Sequence, residues 1–289
     1  MNKSHRETIF VEQAEIISHD AYPGEQYVLR VMARDIAAHA EAGSFAHLTV
    51  DPQRPMRRPI SIMRVNRERG WVDFLYKVVG EGTRLLAKRQ AGEYLDIMGP
   101  IGNPFTPSPE RPMALLIGGG VGMPPMIFLA ETLRTMPEYQ PFVILGSEVP
   151  FPFTPRPSSM ILPGMPDGVI GAMPLLEDRG VPSRLASLQG YAGCFEGYVT
   201  DLARHWLDAL SEEQRQQVSV YSCGPHPMLE AVAKLASEYQ LPCQVSLEEF
   251  MACAVGGCAG CVVEVKTEQG PAMKRVCVDG PVFDAAQVF

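Results

Sequence analysis

Four cysteines near the C-terminus have types and spacing that suit an inorganic cluster. Cys253, Cys258 and Cys261 follow the pattern C-x4-C-x2-C, and Cys277 comes after a further fifteen residues. The first three match the spacing of plant-type [2Fe–2S] proteins, and three glycines inside the loop let the backbone curl tightly around a small core. Four thiolates also suit structural zinc, although zinc sites usually contain two separated C-x2-C pairs and this chain has one. The sequence therefore favours an iron–sulfur cluster, with zinc as the alternative.

A second group of residues suits a flavin dinucleotide. Arg58-Pro59-Ile60-Ser61 combines a cation for a pyrophosphate with a stiff extended segment for a flavin ring. Gly82 and Thr83 follow a predicted strand that ends in Leu75-Tyr76-Lys77, and they open a helix whose free N–H groups favour a phosphate. The alternatives are a solvated arginine and a plain turn in which Thr83 caps the helix. Taken together, the two motifs favour the phosphate interpretation.

Two further loops lie at predicted strand ends. Gly118-Gly119-Gly120-Val121-Gly122 separates an apolar run from a helix, which is the context of a phosphate-binding loop. It is not a G-x-G-x-x-G fingerprint, because position 123 is Met. Cys223-Gly224-Pro225 also follows an apolar run, and ligands of open parallel sheets bind beyond the carboxyl ends of strands. We expect both loops to face one crevice, with Cys223 either near a nicotinamide ring or buried as a small apolar group.

The first part of the chain, which carries the flavin motifs, is predicted to be an all-β region. Short strand-type segments broken by Gly and Pro are predicted at 9–17, 26–33, 45–50, 61–65 and 71–78, with one helix near 82–90. Strands at this spacing suggest a small antiparallel β-barrel. Four prolines between residues 103 and 112 mark a boundary.

Beyond that boundary strands alternate with helices. Strands are predicted at 114–117, 142–145 and 218–222, and helices at 124–135 and 227–239. This alternation indicates a parallel sheet covered on both faces. The Pro- and Gly-rich segment 150–168 is expected to be a loop, and the last 48 residues hold the cysteines and a strand at 261–265. We therefore expect a multi-domain chain: a barrel at 1–108, an α/β nucleotide-binding domain at 109–241 and a small cluster domain at 242–289.

Composition excludes several classes of protein. A chain of 289 residues is long enough for two or three domains. Its net charge of −8 argues against non-specific nucleic-acid binding. No apolar run is long enough to span a bilayer, and no apolar region of a signal peptide follows Met1. Seven cysteines, an odd number, then fit a reducing cytoplasm better than a disulfide framework.

The order of the motifs resembles the ferredoxin–NADP reductase-like superfamily. Segments 246–253 and 277–283, which flank the cysteine loop, resemble the electron-transfer subunit of type B dihydroorotate dehydrogenase. The resemblance implies FAD bound by Arg58, Pro59, Ile60, Ser61, Leu75, Tyr76, Lys77, Gly82 and Thr83. It implies NAD(H) framed by Gly118, Gly119, Gly120, Gly122, Cys223, Gly224 and Pro225. It implies a [2Fe–2S] cluster held by Cys253, Cys258, Cys261 and Cys277.

The same resemblance implies an electron-transfer function in pyrimidine biosynthesis. Electrons would pass between an FMN-containing dihydroorotate dehydrogenase catalytic subunit and NAD, in a heterotetramer around a catalytic dimer. No general base is expected, since the carriers supply the chemistry. The apolar residues Val282 and Phe283 are expected either at the partner contact or in the chain's own core. Glu148 favours NAD over NADP, whereas Arg156 argues the reverse.

Two alternatives remain open at this point. A related NAD(P)H oxidoreductase would use the same cofactor motifs and pass electrons to a ferredoxin or another dehydrogenase. A redox-sensing or zinc-stabilised binding protein would keep the fold without turnover, because fold analogy alone does not fix function.

Overall fold

Six antiparallel strands close into a barrel in the computed structural model, which describes residues 8–51 and 53–289. The barrel order is β1-β2-β5-β4-β3-β6. Its elements are β1 Phe10–Tyr22, β2 Gln26–Met32, α1 Arg34–His39, β3 Phe45–Leu48, β4 Arg58–Asn66, β5 Trp71–Lys77, α2 Glu81–Leu86 and β6 Tyr94–Ile101. Alternate side chains point inward, as Ile60 and Ile62 do on β4. The predicted barrel is confirmed, and β6 and α1 are additions that the sequence patterns had not predicted.

The second region is an α/β sheet. Its elements are β7 Met113–Gly119, α3 Met123–Leu133, β8 Gln140–Gly146, β9 Arg156–Pro157, β10 Gly171–Ala172, α4 Pro174–Asp178, β11 Ser183–Ala186, α5 Val199–Asp208, α6 Glu212–Arg215, β12 Val218–Cys223, α7 His226–Glu238 and β13 Cys243–Ser246. Strands β11, β8, β7, β12 and β13 are parallel neighbours in that order. Both faces of the sheet are covered, which explains the continuous apolar runs that predicted it.

The C-terminal region is tied to the same sheet. It contains β14 Val262–Thr267, β15 Gly270–Arg275, α8 Val276–Asp279, β16 Val282–Asp284 and α9 Ala285–Val288. Strands β14 and β15 form a hairpin, and β16 pairs antiparallel with β13 at the sheet edge. The domain boundaries stay predictions, but β13 and β16, which both follow residue 241, complete the α/β sheet. The cysteine loop thus lies between two anchored strands.

The outer face of the barrel packs against the cysteine region. Phe45 on β3 and Met98 on β6 belong to the same buried apolar cluster as Met251 and two of the cysteines, Cys261 and Cys277. Neighbouring residues of β3 instead point into the barrel core. Strand β3 therefore separates the barrel interior from the cysteine loop. In the described part of the chain, no helix is long and apolar enough to cross a membrane.

Candidate redox site

The start of helix α2 lies directly against the Arg58 side chain. A Cβ atom at Gly82 would be 2.3 Å from Nε of Arg58 and 2.7 Å from its Cζ, so only glycine lets the guanidinium approach this closely. The Thr83 hydroxyl accepts hydrogen bonds from the N–H groups of Val79 at 3.0 Å and Gly80 at 3.2 Å. The fold thus joins the two sequence motifs into one cradle.

The Arg58 guanidinium is available for an anion. Its Nη1 donates to the Met56 carbonyl oxygen at 2.5 Å. Neighbouring arginines are already paired, Arg54 with Glu81 and Arg57 with Asp96. Among the described residues, no carboxylate pairs with Arg58. A cation beside the free N–H groups of a helix start fits a pyrophosphate.

The strands beside this cradle provide a surface for a flat ring. On β4, Pro59 and Ser61 lie on the face opposite the buried Ile60 and remain partly exposed. On β5, Tyr76 is buried, and its hydroxyl lies 2.8 Å from Nε2 of His19. Burial raises the pKa of Tyr76, so the phenol stays neutral. His19 carried no sequence signal, because only the strand order β1-β2-β5 brings it close to Tyr76. Leu75 is buried beside Tyr76 and Lys77 is half-exposed; their contact with flavin stays a prediction.

The two loops predicted to share a crevice do meet. Gly118 is paired with Cys223 across β7 and β12. A Cβ atom at Gly122 would lie 2.3 Å from the Cys223 carbonyl oxygen. The 3-10 turn Gly120–Gly122 also contacts β5, the predicted flavin strand. The two predicted nucleotide loops therefore lie together at the carboxyl end of the sheet, beside the predicted flavin strand β5.

The thiol of Cys223 is fully buried. Burial raises its pKa, and a nearby carboxylate, Glu248, acts in the same direction. This favours the alternative in which Cys223 is a buried thiol, with its backbone rather than its sulfur facing the crevice. Glu248 itself is exposed, yet the surrounding protein raises its pKa through desolvation. Sequence patterns did not single out this acid, whose only signal is its place just after β13.

The cysteine loop is curled around its own sulfur atoms. Sγ of Cys253 accepts a hydrogen bond from the Cys258 N–H at 3.4 Å, and Sγ of Cys258 accepts one from Gly260 at 3.4 Å. Burial acts to raise the pKa of Cys253, but hydrogen bonds from Val255, Cys258 and Gly257 outweigh it and lower the pKa to about 7. The loop thus favours a thiolate before any metal is bound.

The remaining two thiols form a second pair. Cys261 and Cys277 are both buried, and burial together with the adjacent Cys261 thiol raises the pKa of Cys277 to about 12. Within the ranges described, no three thiol, imidazole or carboxylate side chains converge as ligands of a single metal ion. The chemistry of the donor set, four thiols with N–H groups aimed at the sulfur atoms of Cys253 and Cys258, fits the four ligands of a two-iron cluster.

An apolar rim surrounds the cysteine loop. Phe250 is 93% exposed, Val255 51% and Val278 40%. Val255 and Val278 also line a cleft of about 1060 Å³ that reaches Cys277. Of the two alternatives for Phe283, the structure favours the chain's own core, because Phe283 is 7% exposed and lies opposite Val245 in the sheet. Val282 packs inward too, against the barrel core.

Known proteins that are similar to this chain belong to the class of protein that this geometry indicates. Residues 8–105 match the model of an oxidoreductase FAD-binding domain. A solved NADH-dependent reduced ferredoxin–NADP oxidoreductase has a similar fold, with a TM-score of 0.76, 24% identity and coverage of 96% of this chain and 90% of that one. A ferredoxin reductase of carbazole 1,9a-dioxygenase has a TM-score of 0.62 at 20% identity, covering 81% and 67%. The class is thus an oxidoreductase with an FAD-binding domain, built on the fold of these solved structures.

The particular family follows from the C-terminal region and from whole-chain relatives. Residues 248–289 match the iron–sulfur cluster binding domain of dihydroorotate dehydrogenase B. The electron-transfer subunit of dihydroorotate dehydrogenase B (NAD(+)) from Desulforamulus reducens is 34% identical, with 91% of this chain and 92% of the relative covered. The Shouchella clausii subunit is 30% identical, covering 100% and 99%. The chain belongs to the family of dihydroorotate dehydrogenase B electron-transfer subunits.

Proposed function

We propose that this chain carries electrons between a dihydroorotate-oxidising catalytic subunit and NAD through a [2Fe–2S] cluster and FAD. Flavin exchanges hydride with nicotinamide and single electrons with an iron–sulfur cluster, so it stands between the two. The observation that carries the proposal is the joint packing of the three sites. Strand β5, which would contact the flavin, contacts the turn Gly120–Gly122 on one side, and Phe45 of β3 shares a buried apolar cluster with Met251 and two of the cysteines on the other.

The residues of this chain act by binding and by orienting. Arg58 and the start of α2 would hold the FAD pyrophosphate, and Pro59 and Ser61 would lie along the flavin. Gly118, Gly119, Gly120 and Gly122, with Gly224 and Pro225, would let the nicotinamide nucleotide approach closely. Cys253, Cys258, Cys261 and Cys277 would hold the cluster. No group in this arrangement needs to act as a general base.

The nucleotide is proposed to be NAD rather than NADP. The guanidinium of Arg156, the cation that argued for a 2′-phosphate, pairs with Asp178 on α4. Glu148 follows β8 and is exposed, where a carboxylate would accept hydrogen bonds from a ribose and repel a 2′-phosphate. Comparison of KM for NADH and NADPH tests this choice, and an equal preference would contradict it.

The partner is proposed to be an FMN-containing catalytic subunit that docks on the apolar rim of Phe250, Val255 and Val278, in a cytoplasmic heterotetramer. Cys258, which would hold the cluster, is exposed and would bring it near a docked partner, and exposed apolar side chains near the cysteine loop suit a protein interface. We assign no dihydroorotate site to the residues of this chain that the structure describes.

Reconstitution tests the proposed function. The chain, loaded with FAD and cluster under anaerobic conditions, is mixed with the catalytic subunit, and NADH formation from dihydroorotate and NAD⁺ is followed at 340 nm. We expect turnover only with both subunits present, and dye reduction by NADH with this chain alone. Dye reduction without coupled turnover, together with co-purification of a ferredoxin or another dehydrogenase, would support the related oxidoreductase instead. Zinc in place of iron would support the binding protein.

A further inference from the structure

A fully buried histidine lies between the flavin strand and the cysteine loop. His47 on β3 is 0% exposed, and its register partners are Pro59 on β4 and Met98 on β6. Met98 belongs to the apolar cluster that contains Met251 and the buried cysteines. His47 shares the outward face of β3 with Phe45, two residues away. An imidazole is therefore buried where an apolar side chain would be expected.

The ring of His47 lies near backbone groups of two segments, those of Arg57 and Met251. Among the residues that the structure describes, neither Nδ1 nor Nε2 has a partner with full hydrogen-bond geometry. Backbone groups of Arg57 and Met251 nevertheless act to raise the pKa of His47. This is the effect of carbonyl oxygens, which accept hydrogen bonds from the protonated ring. Arg57 immediately precedes the flavin arginine, and Met251 lies two residues before Cys253. One side chain thus lies between the two segments that would hold the two carriers.

The surroundings keep this ring neutral. Burial lowers the pKa of His47 to about 4, and the positive charges of Arg57 and Arg58 act in the same direction. A neutral imidazole has one N–H donor, so it can bond fully to only one of the two backbone groups. A buried polar group without a full set of partners is costly and calls for an explanation in function or specificity.

We propose that His47 is a positioning residue that fixes the cysteine loop against the flavin strand, and so sets the geometry for electron transfer between cluster and FAD. The N–H of the neutral ring would donate to one of the two backbone carbonyl groups, of Arg57 or of Met251, while the ring fills the space beside the other. An apolar residue would fill the same space without orienting either segment. The inference rests on the proposed function, because it presumes that both carriers are bound.

The test uses the full chain loaded with FAD and cluster. His47→Phe and His47→Leu remove the polar atoms, and His47→Gln keeps a donor and an acceptor. His205→Leu replaces an exposed histidine on α5 and is the matched control. Stopped-flow absorbance follows FAD reduction by NADH and then electron transfer from flavin to cluster. The EPR spectrum of the reduced cluster is recorded for each variant.

We expect FAD reduction by NADH to be unchanged in every variant. Transfer to the cluster should slow roughly tenfold or more in the apolar variants, since misplacement on the ångström scale is enough to cost this much. Their EPR spectra should shift, and His47→Gln should restore most of the rate and the spectrum. If either folded apolar variant matches the wild type in both readouts, the positioning role is refuted. If the wild type itself shows no transfer from flavin to cluster, the proposed function fails instead.

Discussion

Substitution of Gly82 tests the flavin cradle without disturbing the fold. In Gly82→Ala the new Cβ would meet Nε of Arg58 at 2.3 Å and both Cζ and Nη2 at 2.7 Å. These atoms are the end of a flexible side chain, so the guanidinium must swing away while the backbone stays in place. Alanine also favours a helix over glycine by about 1 kcal/mol. We therefore expect unchanged or slightly higher thermal stability of the apoprotein.

The expected loss falls on FAD binding. A hydrogen bond between a charged donor and a phosphate contributes about 1.5–3 kcal/mol, and each 1.4 kcal/mol is a factor of about ten in affinity. Displacing Arg58 should therefore weaken FAD binding roughly 10- to 100-fold. Titration of apoprotein with FAD, followed by quenching of flavin fluorescence, measures the dissociation constant directly.

Gly80 supplies the matched control at the same helix start. A Cβ atom there would have nothing within 4 Å, and its φ of −166° is extended backbone that any residue adopts. Gly80→Ala should therefore bind FAD as the wild type does. The cradle assignment is refuted if Gly82→Ala retains wild-type affinity, or if Gly80→Ala loses as much.

Three further outcomes follow from the site. Cys258→Ser should abolish the visible and EPR signals of the cluster while FAD remains bound, and a retained cluster spectrum would contradict the ligand assignment. Phe250→Asp places a charge at a side chain that is 93% exposed. It should weaken docking of the catalytic subunit, measured by analytical ultracentrifugation, and leave NADH–dye reduction unchanged. Undiminished docking would show that the interface lies elsewhere. The pKa of His47 is about 4 in the folded chain and about 6.5 in the unfolded chain. Between these two values the unfolded chain binds a proton that the folded chain does not, so the stability falls as the pH decreases from about 6.5 towards 4. Between pH 7 and pH 5, the free energy of unfolding of the wild type should fall by about 2 kcal/mol more than that of His47→Gln, as measured by urea unfolding. Equal decreases in the two proteins would contradict the neutral buried ring. The charges acting on it are Arg57, which is paired with Asp96, and Arg58.

Local patterns predicted the parts of the site that depend on short stretches of chain. Three short segments show their role directly in the sequence, because each contains glycine or proline residues that shape the backbone beside groups that can bind a ligand. They are the C-x4-C-x2-C loop, the segment from Arg58 and the glycine loop from Gly118. For the glycine loop from Gly118 and the loop from Cys223, the usual rule for ligand sites in parallel sheets was enough to predict that they would meet. The β-barrel and the α/β sheet were predictable for the same reason, since their periodicities are local.

What could not be predicted depends on contacts between distant segments. His47 and His19 look like ordinary strand residues, and their positions become informative only when barrel closure and sheet register are known. Phe283 was expected as a possible contact residue because it is apolar and near the cysteines. It is buried because β16 pairs with β13, where its partner Val245 lies 38 residues earlier, a register that no local pattern contains.

That pairing also explains how a short cluster region keeps its geometry. The cysteine loop begins a few residues after β13, and Cys277 lies on α8 just before β16, so both ends are attached to adjacent strands of one sheet. The Asn103 N–H donates to the Gly280 carbonyl oxygen at 2.6 Å, which adds a link from the end of the barrel. The loop is therefore held by the nucleotide domain at its ends and by the barrel along its side. Its ligands are positioned by the two domains that bind the other carriers, and this ties the distance between cluster and flavin to the fold itself.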